Sequence, residues 1–197
     1  MDDRAIFAVH GAFWAAFGVT LLWSRRKSAA PAAPVVAPES KPATAPYSRA
    51  LVGFHMTAFG VLYFGINYAV WPNQVLELFP FQRLVGAGVI ALGAFIACWA
   101  LVYFRSWRFR AQLDAGHQLA TGGPFAIVRH PIYAALNLFA LGSALWVPNV
   151  ITALATVLMF LGSDLRGRAE EKLLLAQFPS EYPEFMKRTR RFVPFVY

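Results

Sequence analysis

Two polar segments carry the side chains of this chain that are best suited to chemistry. Residues 117–133 hold paired glycines followed by Arg-His-Pro-Ile-Tyr, and residues 164–171 hold closely spaced acidic and basic side chains. Both segments adjoin strongly apolar stretches. Irregular polar backbone at membrane depth is tolerated mainly where protein or a ligand cavity satisfies its hydrogen bonds. The segments therefore predict a ligand site at a membrane face.

The composition is that of an integral membrane protein. Of the 197 residues, 58% are hydrophobic, 16% are aromatic and 14% are charged, which is far more apolar than an ordinary soluble domain. The single cysteine, Cys98, excludes an intrachain disulfide. Packing must therefore hold the fold together.

Five apolar windows approach the roughly 20 residues that a spanning helix needs. They are residues 6–23, 50–70, 84–104, 132–146 and 150–165. Only Val147-Pro148-Asn149 joins the last two, which predicts a helical hairpin whose arms extend into 127–131 and 166–170. Small residues in these windows predict close helix packing: Gly86, Gly88, Gly93, Ala134, Ala135 and Gly142. We predict an all-α membrane bundle of about five transmembrane helices with a cytoplasmic C-terminal helical segment.

The chain divides into three parts. Residues 1–27 form a first transmembrane helix, which we expect to be retained because its basic residues follow the apolar run, whereas those of a signal peptide precede it. Residues 28–48 are rich in Ala and Pro and predict a flexible linker. Residues 49–197 form a core with four transmembrane helices and the two polar segments.

The basic residues predict the orientation of the bundle. If the helices alternate in direction, all of the 18 Lys and Arg except Arg4 and Arg83 lie on one side. The positive-inside rule makes that side cytoplasmic, with the N-terminus outside and the C-terminus inside. The formal charge of +8 then reflects topology and contact with membrane lipid, and we expect no nucleic-acid partner.

The histidines and the charged pairs have ordinary structural interpretations when each is taken alone. His10 and His55 lie within apolar windows and predict hydrogen bonds inside the bundle. His117 and His130 are 13 residues apart without a Cys or carboxylate pattern, so we expect no metal site. The spacing of Arg166–Glu170 and Asp164–Arg168 predicts helix-surface ion pairs, and residues 178–195 predict an interfacial helix on anionic lipid.

Taken together, the motifs resemble the isoprenylcysteine carboxyl methyltransferase family. Their order is L-x-T-x-G-P-F, R-H-P-x-Y, a helical hairpin, R-x-x-x-E-E, F-x-x-E-Y-x-x-F and R-x-x-P, over about residues 116–195. The resemblance implies a membrane methyltransferase that uses S-adenosylmethionine. It further implies a lipophilic, membrane-associated acceptor, foremost the C-terminal carboxylate of a prenylated cysteine or a similar carboxylate.

The resemblance also implies roles for individual residues. Arg166 faces the methyl acceptor and is the catalytic candidate, and Arg129 is a second candidate for binding the acceptor. Phe125 stands where the family often has tyrosine, and Ala135 where many members have glycine. The positions matched to cofactor binding are His117, Gln118, Leu119, Ala120, Phe125, His130, Pro131, Ile132, Tyr133 and Glu170.

Elementary chemistry agrees with these residue types. The cofactor carries a sulfonium, an amino group, a carboxylate and a ribose diol, so its site needs an acceptor such as Glu170 and a donor such as His130. A carboxylate methyl acceptor has a reference pKa of about 4 and is ionised at neutral pH without a general base. We therefore assign Arg166 to orienting the acceptor for attack.

Three alternatives stay open at this point. A phospholipid, amine or thiol methyltransferase of similar build would need a base for an amine acceptor, and Glu171 is the obvious carboxylate beside Glu170. An NADPH-dependent sterol-reductase-like enzyme is the second, because those proteins share a C-terminal R-H-P-x-Y segment. A non-enzymatic membrane subunit is the third, holding partners or lipid with its basic tail. The sequence carries no signal for the oligomeric state.

Overall fold

A computed structural model of the chain describes residues 2–28, 43–44, 47–104, 112–113 and 119–197. Its helices are α1 Ala5–Ser28, α2 Ser48–Val70, α3 Gln82–Tyr103, α4 Pro131–Trp146, α5 Val150–Gln177 and α6 Glu181–Arg188, with a 3-10 helix, Gly123–Ala126, before α4. The two-residue strands β1 Ala43–Thr44 and β2 Gln112–Leu113 pair antiparallel. The predicted α-helical class is confirmed. Most of the proposed linker, 28–48, lies outside the described residues, so the division into three parts stays a prediction.

The helix lengths match a membrane bundle. Helices α1, α2, α3 and α5 are long and apolar enough to cross a membrane, and α4 is a shorter apolar helix of 16 residues. At about 1.5 Å per residue, α4 is about 24 Å long, somewhat less than the roughly 30 Å of a hydrocarbon core. The structure confirms the integral membrane helical bundle, and its described residues contain four helices of spanning length and one shorter apolar helix.

The α4–α5 hairpin has a well-formed turn. The Asn149 side chain accepts hydrogen bonds from the backbone N–H groups of Ile151 and Thr152, both at 2.9 Å, and so caps the first turn of α5. Helix α5 continues through 166–170 to Gln177, as predicted.

The other arm of the hairpin differs from the prediction. Helix α4 begins at Pro131, and the helix does not extend back through 127–130. The reason is that proline restricts the residue before it to non-helical conformations, and His130 has φ −126° and ψ 67°. The backbone groups of Arg129 and His130 are consequently available for pairing with another segment.

Small residues allow α3 and α4 to pack closely. A Cβ added to Gly142 would lie 2.7 Å from the carbonyl oxygen of Gly86, and one added to Gly93 would lie 2.8 Å from that of Ala135. The prediction of close packing is confirmed at these glycines. It is wrong for Gly88, where an added Cβ would meet no atom of the described residues within 4 Å.

The helices alternate in direction, as the charge argument assumed. Arg83 Nε lies 2.6 Å from Asp3 Oδ1, and the Arg4 guanidinium lies 5.3 Å from the centre of the Trp71 ring. Arg4 and Arg83, the two basic residues predicted to lie on the side away from the others, are therefore at the same end of the bundle, where α1 and α3 begin and α2 ends. Helix α4 begins at the opposite end. Which end is cytoplasmic stays a prediction.

Candidate functional site

Residues 128–130 pair with the segment that follows α6. The Arg129 backbone N–H donates to the Arg190 carbonyl oxygen at 2.7 Å, and the His130 N–H donates to that of Arg191 at 3.1 Å. Val128 and Arg190 form a parallel bridge. This pairing is possible because Pro131 keeps these amides out of α4. The polar segment before α4 is thus joined to residues about sixty positions later.

Glu170 contacts two side chains that the motif analysis singled out. The Tyr133 hydroxyl donates to Glu170 Oε1, and His130 Nδ1 lies 3.4 Å from Glu170 Oε2. The His130 and Tyr133 rings stack with centroids 5.7 Å apart and an angle of 23°. The Arg166 guanidinium carbon lies 4.9 Å from the centre of the Tyr133 ring, a cation–π contact. We call these four residues the Glu170 cluster.

The Glu170 cluster is buried except at its carboxylate. Arg166 is 4% exposed, Tyr133 2% and His130 6%. The Glu170 side chain is 25% exposed. This carboxylate is therefore the member of the cluster that a ligand from outside the bundle reaches most easily.

Glu171 forms a second set of contacts beside the first. Its Oε1 lies 3.0 Å from Arg129 Nε, and its Oε2 lies 2.7 Å from Arg191 Nη2. His130 Nε2 lies 3.4 Å from Glu171 Oε1. The two nitrogens of His130 thus face the two neighbouring carboxylates, Glu170 and Glu171.

Arg191 joins Glu171 to Asp164, two turns earlier on α5. Its Nη1 lies 2.7 Å from Asp164 Oδ1, and the Tyr197 hydroxyl donates to the same oxygen at 2.7 Å. Arg168 Nε lies 2.6 Å from Asp164 Oδ2, which confirms that predicted ion pair. The contacts of Arg191 with Glu171 and Asp164, and of Tyr197 with Asp164, were not predicted from the sequence. The sequence holds two signals for these contacts. Asp164 and Glu171 are seven residues apart and so share a helix face, and Arg191 is the first residue of the R-x-x-P motif.

Helix α6 differs from the interfacial helix expected over 178–195. Only Glu181–Arg188 is helical, and its Tyr182 and Phe185 are 1% and 3% exposed. Residues three apart lie on one helix face, so both aromatic rings are buried in the protein together. An open groove of about 460 Å³ adjoins α6 and is lined by Leu119, Thr121, Ser180, Glu181, Glu184 and Arg188.

The remaining predicted cofactor residues have other surroundings. Leu119 lines the groove, Ala120 beside it is half-buried, and Pro131 is the first residue of α4. Ile132 is 4% exposed in an apolar cluster with residues of α1 and α3. Residues 117 and 118, the predicted His117 and Gln118, lie outside the described part of the chain.

Aromatic side chains at the end of α3 pack against the 3-10 helix. The Phe125 ring lies 6.2 Å from that of Tyr103 and 5.6 Å from that of Phe104. Gly123 has φ 58°, and a Cβ there would lie 2.6 Å from Tyr103 Cδ2. The paired glycines therefore accommodate the Tyr103 ring.

Comparison with known proteins identifies the family to which the chain belongs. A family model described as phospholipid methyltransferase matches residues 81–181, from the start of α3 to the start of α6. The chain belongs to this family. The match covers about half of the chain and includes all members of the Glu170 cluster.

Individual relatives of this methyltransferase family agree with the resemblance seen in the motifs. The chain is 25% identical over 136 residues to the protein-S-isoprenylcysteine O-methyltransferase of Schizosaccharomyces pombe, covering 66% of this chain and 58% of the relative. It is 27% identical over 125 residues to a probable enzyme of that name from Oryza sativa subsp. indica, covering 61% and 65%. It is 33% identical over 88 residues to protein-S-isoprenylcysteine O-methyltransferase B of Arabidopsis thaliana, covering 44% and 45%. The chain thus spans less than two thirds of the length of each relative.

The position of His130 predicts a pH dependence of stability. Burial alone lowers its pKa, but hydrogen bonds and charges from Glu170 and Glu171 outweigh burial and raise the pKa above the usual value of 6.5. The stabilisation from protonated His130 is then fully present below pH 6.5 and is lost as the pH rises through the raised pKa. We expect the unfolding midpoint in detergent to fall over that range in the wild type, but not in His130→Gln. Parallel pH curves for the two proteins would contradict this prediction.

Proposed function

We propose that this chain transfers a methyl group from S-adenosylmethionine to the carboxylate of a lipophilic, membrane-associated acceptor, foremost the C-terminal carboxylate of a prenylated cysteine. The observation that carries the proposal is the Glu170 cluster. In it Tyr133 contacts a partly exposed carboxylate, Glu170, through its hydroxyl, and a buried guanidinium, Arg166, through its ring. Three relatives whose names specify isoprenylcysteine O-methylation support this acceptor class.

The Glu170 carboxylate on α5 and the groove beside α6 fit this cofactor. When bound, S-adenosylmethionine supplies an electrophilic methyl group on a positively charged sulfur. Glu170 offers carboxylate oxygens to its amino and hydroxyl groups, and 25% of that side chain is exposed. The groove of about 460 Å³ next to Leu119 is within the size range of small-molecule sites. Glu170 is not among the residues that line this groove. We propose that the cofactor extends from the groove beside Leu119 to the exposed part of the Glu170 carboxylate.

Arg166 is the residue that we assign to the acceptor carboxylate. Its guanidinium is 4% exposed and lies over Tyr133, at the end of the bundle where Glu170 lies. A guanidinium pairs with a carboxylate through two parallel hydrogen bonds, and low dielectric strengthens that attraction. Since the carboxylate is already ionised, Arg166 needs only to hold it in the attacking orientation.

Arg129 has a supporting role in this proposal. Its Nε donates to Glu171, and its Nη1 donates to the carbonyl oxygens of Thr189 and Met186. These contacts use the guanidinium to attach the segment after α6 to α5. We therefore propose that Arg129 acts on the acceptor only by holding these elements in position.

A phospholipid amine acceptor is the second candidate, because the family description names phospholipid methylation. An amine must lose a proton before or during transfer. Glu171 is held between the guanidinium groups of Arg129 and Arg191, which stabilise its ionised form and make it a poor proton acceptor. This surrounding favours a carboxylate acceptor over an amine.

Calorimetric binding of S-adenosylmethionine to the detergent-solubilised protein tests the proposal. Glu170→Ala removes a charged hydrogen-bond acceptor, so we expect cofactor affinity to fall by about tenfold or more. Glu77→Ala is the matched control, since this carboxylate lies on Arg83 at the opposite end of the bundle. Arg166→Ala should retain cofactor affinity and raise the KM of a farnesylated cysteine acceptor.

Two outcomes would contradict these assignments. A folded wild-type protein that binds no S-adenosylmethionine would overturn the methyltransferase proposal. If Arg166→Ala raises the cofactor Kd and the acceptor KM by the same factor, Arg166 does not act specifically on the acceptor.

A further inference from the structure

Three polar side chains form a second buried group within the bundle, from α2, α4 and α5. They are His55, Asn137 and Ser163, which we call the deep polar cluster. His55 and Ser163 are both 0% exposed. Their position in the helices suggests a function, because buried polar groups in membrane helices are costly and usually line a functional site.

The deep polar cluster lies next to the Glu170 cluster. Asn137 follows Tyr133 by four residues on α4, and Ser163 precedes Arg166 by three residues on α5. Residues at these spacings lie on one helix face about one turn, or roughly 5 Å, apart. The His55 and Tyr133 rings are stacked, with centroids 6.0 Å apart and an angle of 24°. The deep polar cluster is thus one turn further into the bundle than Tyr133 and Arg166.

The hydrogen bonds of the cluster have a defined direction. The Ser163 hydroxyl donates to Asn137 Oδ1 at 2.8 Å. Its single hydrogen is used in that bond, so Ser163 Oγ accepts from His55 Nε2 at 3.3 Å. His55 Nδ1 is then left with a lone pair and Asn137 Nδ2 with its hydrogens. Both of these atoms are buried, and neither has a hydrogen-bond partner among the residues that the structure describes.

Such unsatisfied atoms are rare because each one costs free energy. A buried polar atom without a partner typically costs about 1–3 kcal/mol, and native structures usually satisfy such atoms with protein, water or a ligand. His55 Nδ1 needs a donor and Asn137 Nδ2 needs an acceptor. An amide group offers both, through its N–H and its carbonyl oxygen.

We infer that the deep polar cluster binds an amide group of the methyl acceptor, with the amide N–H on His55 Nδ1 and the carbonyl oxygen on Asn137 Nδ2. The inference rests on the proposed function and narrows its substrate class. An N-acylated amino acid or a peptide C-terminus carries the amide on the same carbon as the carboxylate. The separation of about one turn between Arg166 and the cluster suits these adjacent groups. Prenylated carboxylates without an amide then bind less well.

Two acceptors that differ only in the amide test the inference. They are N-acetyl-S-farnesylcysteine and S-farnesyl-3-mercaptopropionate, which has the same thioether, prenyl chain and carboxylate. We expect the wild-type protein to have a kcat/KM about tenfold or more higher for the amide-bearing acceptor. His55→Phe retains a ring against Tyr133, and Asn137→Leu retains the side-chain volume. Each should lower kcat/KM for the amide-bearing acceptor alone and bring the ratio toward one.

His10→Phe is the matched control. His10 is also a buried histidine, with Nε2 3.0 Å from Ser143 Oγ and an Nδ1 that no described residue contacts by a hydrogen bond. Its ring contacts Tyr63 and Phe139, and among the described residues it does not stack on Tyr133. The acceptor ratio should stay at the wild-type value in this variant. Calorimetric binding of S-adenosylmethionine checks that each variant is folded.

The outcomes separate this inference from the proposed function. Equal wild-type kcat/KM values for the two acceptors would overturn the amide site and leave the methyltransferase proposal intact. A wild-type preference that persists in both His55→Phe and Asn137→Leu would also overturn it and assign the unpartnered atoms to buried water. Methylation of neither acceptor would count against the proposed function itself.

Discussion

Arg191→Met is expected to lower the free energy of unfolding by about 3 kcal/mol. Arg191 makes two ion pairs, with Glu171 and Asp164, and its side chain is only 12% exposed. Methionine keeps much of the apolar stem but removes the charge, so the two carboxylates remain in a poorly solvated position with fewer partners. Reversible unfolding in mixed detergent micelles, near neutral pH, measures the change.

Lys187→Met is the control for Arg191→Met. Lys187 also pairs with a glutamate, Glu184, but their side chains are 70% and 63% exposed. An exposed pair of this kind contributes about 1 kcal/mol or less. Comparable losses in the two variants would mean that the buried contacts of Arg191 do not stabilise the fold.

Gly142→Leu should destabilise the bundle by a similar amount, about 3 kcal/mol. A Cβ at this position would lie 2.7 Å from the Gly86 carbonyl oxygen and 2.8 Å from Ile90 Cγ1, so α3 and α4 must move apart. A clash with a backbone atom cannot be relieved by a change of side-chain rotamer. The displaced helices therefore lose packing along their whole contact. The same unfolding assay detects the loss.

Gly88→Leu provides the comparison for Gly142→Leu. Both replace a glycine of α3 or α4 by leucine, but a Cβ at Gly88 would lie more than 4 Å from every atom that the structure describes outside its own helix turn. We expect Gly88→Leu to leave the free energy of unfolding nearly unchanged. If both leucine variants unfold alike, glycine packing does not hold α3 against α4.

Local sequence patterns predicted most of the helices. The apolar windows match α1, α2, α3 and α5 to within a few residues at most ends, because hydrophobic length is a local property. The error at the start of α4 was also local in origin. The conformational restriction that Pro131 imposes on His130 outweighed the apolar character of Ile127 and Val128.

The site was predictable only in part. The motif resemblance named His130, Tyr133, Arg166 and Glu170, and the fold brings these four together. Phe125 and Ile132 pack among apolar side chains of α1 and α3, an arrangement that depends on how distant helices lie against one another. The roles predicted for individual residues in binding cofactor and acceptor stay predictions.

Helix length, hydrophobicity and proline chemistry act over a few residues, so the membrane class, the apolar helices and the motif residues near 130 and 170 can be predicted from the chain alone. Which charged side chains contact each other depends on how distant helices pack. Arg129 and Arg191 both reach Glu171, although 42 and 20 positions separate them from it. The packing of the helices also leaves His55 Nδ1, beside Tyr133, without a hydrogen-bond partner within the described part of the chain. The physical reason is that such contacts depend on the packing of distant helices, for which a single sequence carries no local periodic signal.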